Sequence, residues 1–175
     1  MGISKTKIVL DADVIIHFSK GGLLHLLPKI LPEFQFIVLD IVKNELPASI
    51  SAEVDNQIRW LHNISEEIFG NTSEQRREFA RLTSTTGMAL GRGESACMVY
   101  CLYNHDVVGS SNTRDVATYC DEHNIIYLTT NDFLFYGICR GMITKKDASE
   151  FVSTVRAKGS FPPIVDFDTY ICTKI

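Results

Sequence analysis

Three short apolar runs in this chain each end at a polar residue and hand over to a segment with helical periodicity. Lys7-Ile8-Val9-Leu10 runs into Asp11-Ala12-Asp13, Val107-Val108-Gly109 into Ser110-Ser111-Asn112, and Ile125-Ile126-Tyr127-Leu128 into Thr129-Thr130-Asn131-Asp132. Strands that alternate with helices are joined by crossovers, which place the strands parallel and the helices over both faces of the sheet. The expected fold class is α/β, a three-layer α/β/α arrangement around a central, mainly parallel sheet. In such sheets ligands bind outside the carboxyl ends of the strands, where these polar residues would gather.

Periodicity and breakers predict the remaining elements. Residues 6–10 are a strand and Val14 to Phe18 starts a helix that breaks at Gly21-Gly22. Leu23, Leu24, Leu27 and Ile30 predict a helix over 23–31, stopped by Pro32. Phe34 to Leu39 is a strand, and Asp40 caps a short helix that carries Val42 and Glu45 and ends at Pro47. Residues 52–69 fit a helix through Ile58, Leu61, Ile64 and Ile68, or a strand hidden between Trp60 and Ile68. A polar helix runs from Ser73 through Leu82, and Arg92 to Tyr103 is a helix with Ala96, Val99, Tyr100 and Tyr103 on its apolar face. Strands at 107–110 and 125–129 alternate with helices at 113–122, 132–140 and 145–157, and Pro162-Pro163 opens a tail. With 175 residues and no repeat or linker, the chain reads as one domain over 1–175, with a C-terminal helix and tail from about 145. The stretch 70–92, rich in Ser, Thr, Gly and Arg, is the candidate mobile segment.

A net charge of −4 argues against a broadly basic nucleic-acid-binding surface, though not against a local basic patch. No apolar run approaches the roughly 18 residues of a membrane-spanning helix, so no membrane partner is expected. Asp11 and Asp13 interrupt the only N-terminal apolar stretch, which excludes a signal-peptide reading. Met1-Gly2 with Thr6 fits only the loose myristoylation pattern. The five cysteines include no Cys-x-x-Cys pair, and an odd count without a secretion signal points to a reducing, cytoplasmic setting. Cys97 and Cys101, four apart on an apolar helix, read as buried small hydrophobes.

The acidic residues carry the chemistry. Asp11 at the end of the first strand reads as a helix N-cap or as a metal ligand. Asp13 reads as a second ligand or as a charge complementing the helix dipole. Glu94 follows Gly91-Arg92-Gly93, whose glycines let the backbone approach another group closely. Asn112 and Asp115, three apart, share one helical face, and Arg114 between them could reach a phosphate. Asp132, after Thr130-Asn131, reads as part of a helix cap. Carboxylates gathered at strand ends repel one another unless a cation sits among them, and oxygen ligands suit a hard divalent ion.

Ile8-Val9-Leu10-Asp11, Val42-Lys43-Asn44-Glu45-Leu46, Gly91-Arg92-Gly93-Glu94-Ser95-Ala96 and the strand–helix–strand from Val107 to Thr130 resemble PIN-domain nucleases, especially the small toxin-like members. The resemblance covers residues 7 to about 145. It implies three or four acids at the strand ends around Mg²⁺ or Mn²⁺ and the cleavage of RNA. Asp11 matches the first-strand Asp, Glu45 the Glu of the early helix and Glu94 the acid at the helix start. Many relatives have Asp-Asp where this chain has Asn112-Thr113, so Asp115 is expected to supply the missing charge and Asn112 is a candidate carbonyl ligand. The implied catalytic set is Asp11, Glu45, Glu94 and Asp115, with Arg92, Arg114, Lys43 and Ser111 positioning phosphate. The toxin-like members further imply an antitoxin protein and a homodimer as partners.

Two other classes compete. Val9-Leu10-Asp11-Ala12-Asp13-Val14 also resembles the first motif of haloacid dehalogenase-like phosphatases, with Asp11 as nucleophile and Asp13 as acid/base, and Val108-Gly109-Ser110-Ser111-Asn112 loosely resembles their second. Where a Lys and then a strand ending in an acidic pair are expected, however, Lys145-Lys146 and Asp147 lie in a helix-like run with too little chain left for further core strands. A catalytically weakened domain that binds RNA or a partner protein is the third class, suggested by Asn112.

Overall fold

The computed structural model describes residues 5–84 and 90–175. Among them, β1 (Lys7–Leu10), β2 (Gln35–Leu39), β3 (Ile64–Glu67), β4 (Val107–Gly109) and β5 (Tyr127–Leu128) form one sheet in the order β3-β2-β1-β4-β5, with every pairing parallel. The helices are α1 (Ala12–Lys20), α2 (Leu27–Ile30), α3 (Asp40–Lys43), α4 (Ala48–Asn56), α5 (Ser73–Ser84), α6 (Arg92–Asn104), α7 (Thr113–His123), α8 (Thr130–Cys139) and α9 (Lys145–Ala157). The expected α/β class with a parallel central sheet is what the chain adopts.

β1 lies in the middle because Ile8, Val9 and Leu10 are fully buried without alternation, as a strand covered on both faces requires. Its register sets Leu10 beside Val38 on one flank and Gly109 on the other. The residues that follow, Asp11 and Ser110, therefore emerge side by side. The strand order reverses at β1, and this reversal opens the crevice where open α/β sheets bind ligands. One layer is built around α6, which packs on β1, β2 and β4 with α3, α5 and α7 beside it. The other joins α1, α8 and α9 through Phe18, whose ring meets Phe133 edge-on at 6.2 Å and Phe151 at 5.1 Å.

Several local expectations change. The helix expected over 23–31 shrinks to Leu27–Ile30. Gly22 has φ +74, Leu23 to Leu26 form a turn, and Pro28 in the first turn starts a helix more readily than it continues one. Both readings of 52–69 hold in part. α4 and a π-helical turn (Gln57–Leu61) end at His62, whose φ of +51 stops the helix, and β3 follows. Asp40 does not cap α3: the cap position is Leu39, and the Asp40 carboxylate accepts from the Phe69 N–H at 2.9 Å. α6 has no single apolar face. Gly93 through Cys101 are buried all round because the helix is packed between sheet and helices, while Tyr103 is exposed. Cys97 and Cys101 are buried in it as expected.

α5 occupies much of the segment expected to be mobile, and part of that segment lies outside the described residues, as does the Met1-Gly2 pattern. No helix among the described residues is long and apolar enough to cross a membrane.

Candidate active site

Asp11 sits at the junction of β1 and α1. Its N–H donates to the Gly109 carbonyl at 2.8 Å, continuing the ladder with β4, while its carboxylate accepts from the Ala12 N–H at 2.8 Å and caps α1. The other oxygen, Oδ2, accepts from the Ser110 hydroxyl at 3.0 Å. Asp11 thus both caps a helix and faces the crevice. It is only 6% exposed. Burial pushes its pKa up to about 6, against hydrogen bonds from Ala12 and Ser110, and the Glu45 carboxylate adds to the rise.

Asp13, in the first turn of α1, accepts from the N–H of Val14 at 2.6 Å and of Ser111 at 2.8 Å. Burial, then repulsion from Asp11 and Glu94, raises its pKa to about 8 despite those donors. Glu94 lies in the first turn of α6 and is 7% exposed. Burial and the charges of Asp11 and Asp115 push it up to about 7, opposed by a hydrogen bond from Asn112.

Glu45 lies past the end of α3, in the turn before Pro47, and not inside the helix as the periodicity suggested. Its Oε1 accepts the Gly93 N–H at 3.0 Å. A Cβ on residue 93 would run into the Glu45 carboxylate, so any other side chain there displaces Glu45. Asn112 precedes α7, makes no side-chain cap bond, and donates from Nδ2 to Asp115 Oδ2 at 3.1 Å. Asp11, Asp13, Glu45, Glu94 and Asp115 are brought into one electrostatic neighbourhood, and among the described residues no ion pair reaches any of them.

The expected phosphate-positioning residues divide. Arg92 and Arg114 are exposed at the starts of α6 and α7, with the Arg92 guanidinium 5.5 Å from the centre of the Phe79 ring. Lys43 is held by Asp55 at 2.7 Å and Glu66 at 2.6 Å. The Ser111 hydroxyl is engaged with Thr130 at 2.7 Å. Asp132 belongs to a capping box with Thr129 and is bound by Tyr170 and Lys174, so it is structural. Ser110 is the site residue that sequence reasoning missed. Its signal was the register, since the residue after β4 lies next to the residue after β1.

Whether a divalent cation fits can be judged from these groups. The donors are carboxylate oxygens, three of the carboxyl groups have pKa values raised by burial, and among the described residues no positive side chain pairs with them. Among the described residues no three acidic, His or Cys side chains form a ready-made cage. Carboxylate oxygens are donors of the chemical kind a hard divalent ion takes, and Mg²⁺ typically uses only one or two of them, with waters and substrate phosphates as its other ligands.

The fold and site define a parallel-sheet α/β protein with a buried carboxylate cluster at its topological switch point. No family model and no curated protein matches the chain. Among solved structures it is similar to a PilT N-terminus domain protein from the hyperthermophilic archaeon Sulfolobus solfataricus P2, at 12% identity and a TM-score of 0.44, over 73% of this chain and 89% of that one. So remote a likeness carries no argument about function, which rests on the residues themselves.

Proposed function

We propose that this chain is a PIN-type, metal-dependent endoribonuclease. The observation that carries the reading is the burial of Asp11 and Glu94 at the switch point with no cation among the described residues paired to them. In this reading Asp11 and Glu94 hold Mg²⁺ or Mn²⁺, Asp115 and Asp13 add charge around it, and Glu45 completes the acidic wall from the β2 side. The ion supplies Lewis-acid stabilisation of charge developing on a phosphodiester. Ser110 keeps the Asp11 carboxylate turned toward β4, and Arg92 and Arg114 meet the phosphates of the strand being cut. RNA as substrate, an antitoxin and a homodimer as partners, and a toxin's role rest on the resemblance of the four quoted motifs.

The phosphatase alternative finds less support. Lys145 pairs with Asp168 and Lys146 with Glu150 on α9, Asp147 closes a capping box with Thr144, and both Asp13 oxygens are occupied by backbone N–H groups. A weakened domain that binds RNA without cutting it is favoured by one observation, the Asn112 amide donating to Asp115 where relatives carry an acid.

Incubation with RNA and Mn²⁺ separates the three. The nuclease reading expects cleavage that EDTA, Asp11→Asn and Glu94→Gln each remove, with negligible turnover of an aryl phosphate. Aryl-phosphate hydrolysis that survives Glu94→Gln would establish the phosphatase, and RNA binding without cleavage the weakened domain.

A further inference from the structure

The tripeptide Ser110-Ser111-Asn112 supplies hydrogens to the acids of the site. The Ser110 hydroxyl donates to Asp11, the Ser111 N–H to Asp13 and the Asn112 amide to Asp115. What fixes this tripeptide lies behind it. The Ser111 Oγ accepts the Thr130 N–H at 2.8 Å and lies 2.7 Å from Thr130 Oγ1. Thr130 Oγ1 in turn lies 2.8 Å from His17 Nδ1. Thr130 is fully buried and His17 nearly so, and burial holds the imidazole pKa down to about 4, so the ring is neutral at physiological pH.

The Ser111 hydroxyl accepts from the Thr130 N–H and donates to Thr130 Oγ1, and Thr130 Oγ1 and the neutral His17 Nδ1 share one hydrogen whose direction is set by the imidazole tautomer. His17 stands four residues after Asp13 and so lies on the same face of α1. α1 grips Ser111 twice: directly, at its N–H, through Asp13, and at its hydroxyl through His17 and Thr130.

We infer that His17 and Thr130 are positioning residues for the carboxylate site, acting through Ser111 to set the donors that Ser110, Ser111 and Asn112 present to the acids. The inference rests on the nuclease reading. It assigns a role to a buried imidazole that has no hydrogen bond to any of the carboxylates, and it explains why the largely buried junction of α1, β4 and α8 is polar. Groups behind metal ligands set ligand orientation, and their loss typically weakens metal binding ten- to a hundred-fold.

The test is Mn²⁺ binding measured by calorimetry on the full chain, with thermal unfolding and RNA cleavage alongside. His17→Leu removes the ring nitrogen that meets Thr130, whereas His17→Asn keeps a polar atom at the δ position. Thr130→Val removes the hydroxyl with little change of shape, whereas Thr130→Ser keeps it. His17→Leu and Thr130→Val are expected to weaken Mn²⁺ by about ten-fold, with His17→Asn and Thr130→Ser close to the wild type. If His17→Leu does not fold, the Thr130 pair decides. Folded His17→Leu and Thr130→Val proteins with wild-type affinity and cleavage overturn the inference while leaving the nuclease reading standing. A wild-type protein that neither binds Mn²⁺ nor cleaves RNA overturns both.

Discussion

The N–H of Gly93 points at the Glu45 carboxylate from 3.0 Å, and that carboxylate fills the space where a Cβ on residue 93 would go. Glu45 comes from the turn after α3 and Gly93 from the first turn of α6, so one glycine lets two elements 48 residues apart share a corner of the site.

Gly93→Ala is therefore expected to separate stability from function. Alanine favours a helix over glycine by roughly 1 kcal/mol, so the fold should tolerate it. The added methyl displaces Glu45, and RNA cleavage should fall by about ten-fold or more, in line with the loss of a group that orients a metal site. Unfolding midpoints and cleavage rates on the same preparation check this. Unchanged cleavage would remove Glu45 from the working site.

Much of this arrangement was legible in the chain. The runs ending at Asp11 and Ser110 announced strand ends, and Gly91-Arg92-Gly93 announced a close approach. What the glycines approach was not legible, because Glu45 lies in a turn whose direction is set by packing beneath α6. Nor was β3 separable from the helix before it. Ile58, Leu61 and Ile64 keep helical spacing until His62 takes a left-handed conformation that no pattern of apolar residues encodes. The role of His17 was hidden too, since its partner Thr130 is 113 residues away.

Stability should depend on pH in a direction that reveals the acidic cluster. Asp11, Asp13 and Glu94 have folded pKa values of about 6, 8 and 7, all above the ordinary carboxylate range. A carboxyl whose pKa is raised by folding favours the native state when protonated, so stability falls as pH rises through these values. His17, lowered to about 4, acts oppositely, but only below its ordinary value near 6.5. Between pH 6.5 and 8.5 the carboxyls dominate, and EDTA-treated protein should unfold at a lower temperature at the higher pH. Mn²⁺ should restore the difference, and Glu94→Gln should shrink it. A midpoint that rises with pH in EDTA would mean the charges are already compensated.

Asp115 should matter more to metal binding than Asn112. Asn112 spends its Nδ2 on Asp115 and its hydrogen bond opposes the rise in Glu94, so it works as a donor between acids. Only Asp115 adds formal charge. In a calorimetric titration with Mn²⁺, Asp115→Ala should weaken binding more than Asn112→Ala, and Asn112→Asp should strengthen binding while lowering the metal-free unfolding temperature. The reverse ranking of the two alanine variants would make Asn112 the ligand and Asp115 a helix-dipole residue.

Two buried aspartates should respond to amidation with opposite signs. Asp132 is 1% exposed, and its carboxylate accepts from Thr129 at its N–H and hydroxyl, from Tyr170 and from Lys174. Burial works against its charge, but Lys174 and these donors outweigh it and hold its pKa below the usual carboxylate value. Asp132→Asn removes the charge that Lys174 pairs with and one of the two oxygens shared by Thr129, Tyr170 and Lys174, which loosens the tail against α8 at a cost of about 2 kcal/mol. Among the described residues Asp11 has no such cation, and asparagine caps a helix as well as aspartate does. Asp11→Asn should therefore make the metal-free protein more stable at pH 8, by up to about 3 kcal/mol, while abolishing cleavage. Denaturant unfolding of both variants in EDTA reads the two signs directly. Loss of stability in Asp11→Asn comparable with that in Asp132→Asn would show that the Asp11 carboxylate serves the fold as a cap and is not held there for a metal.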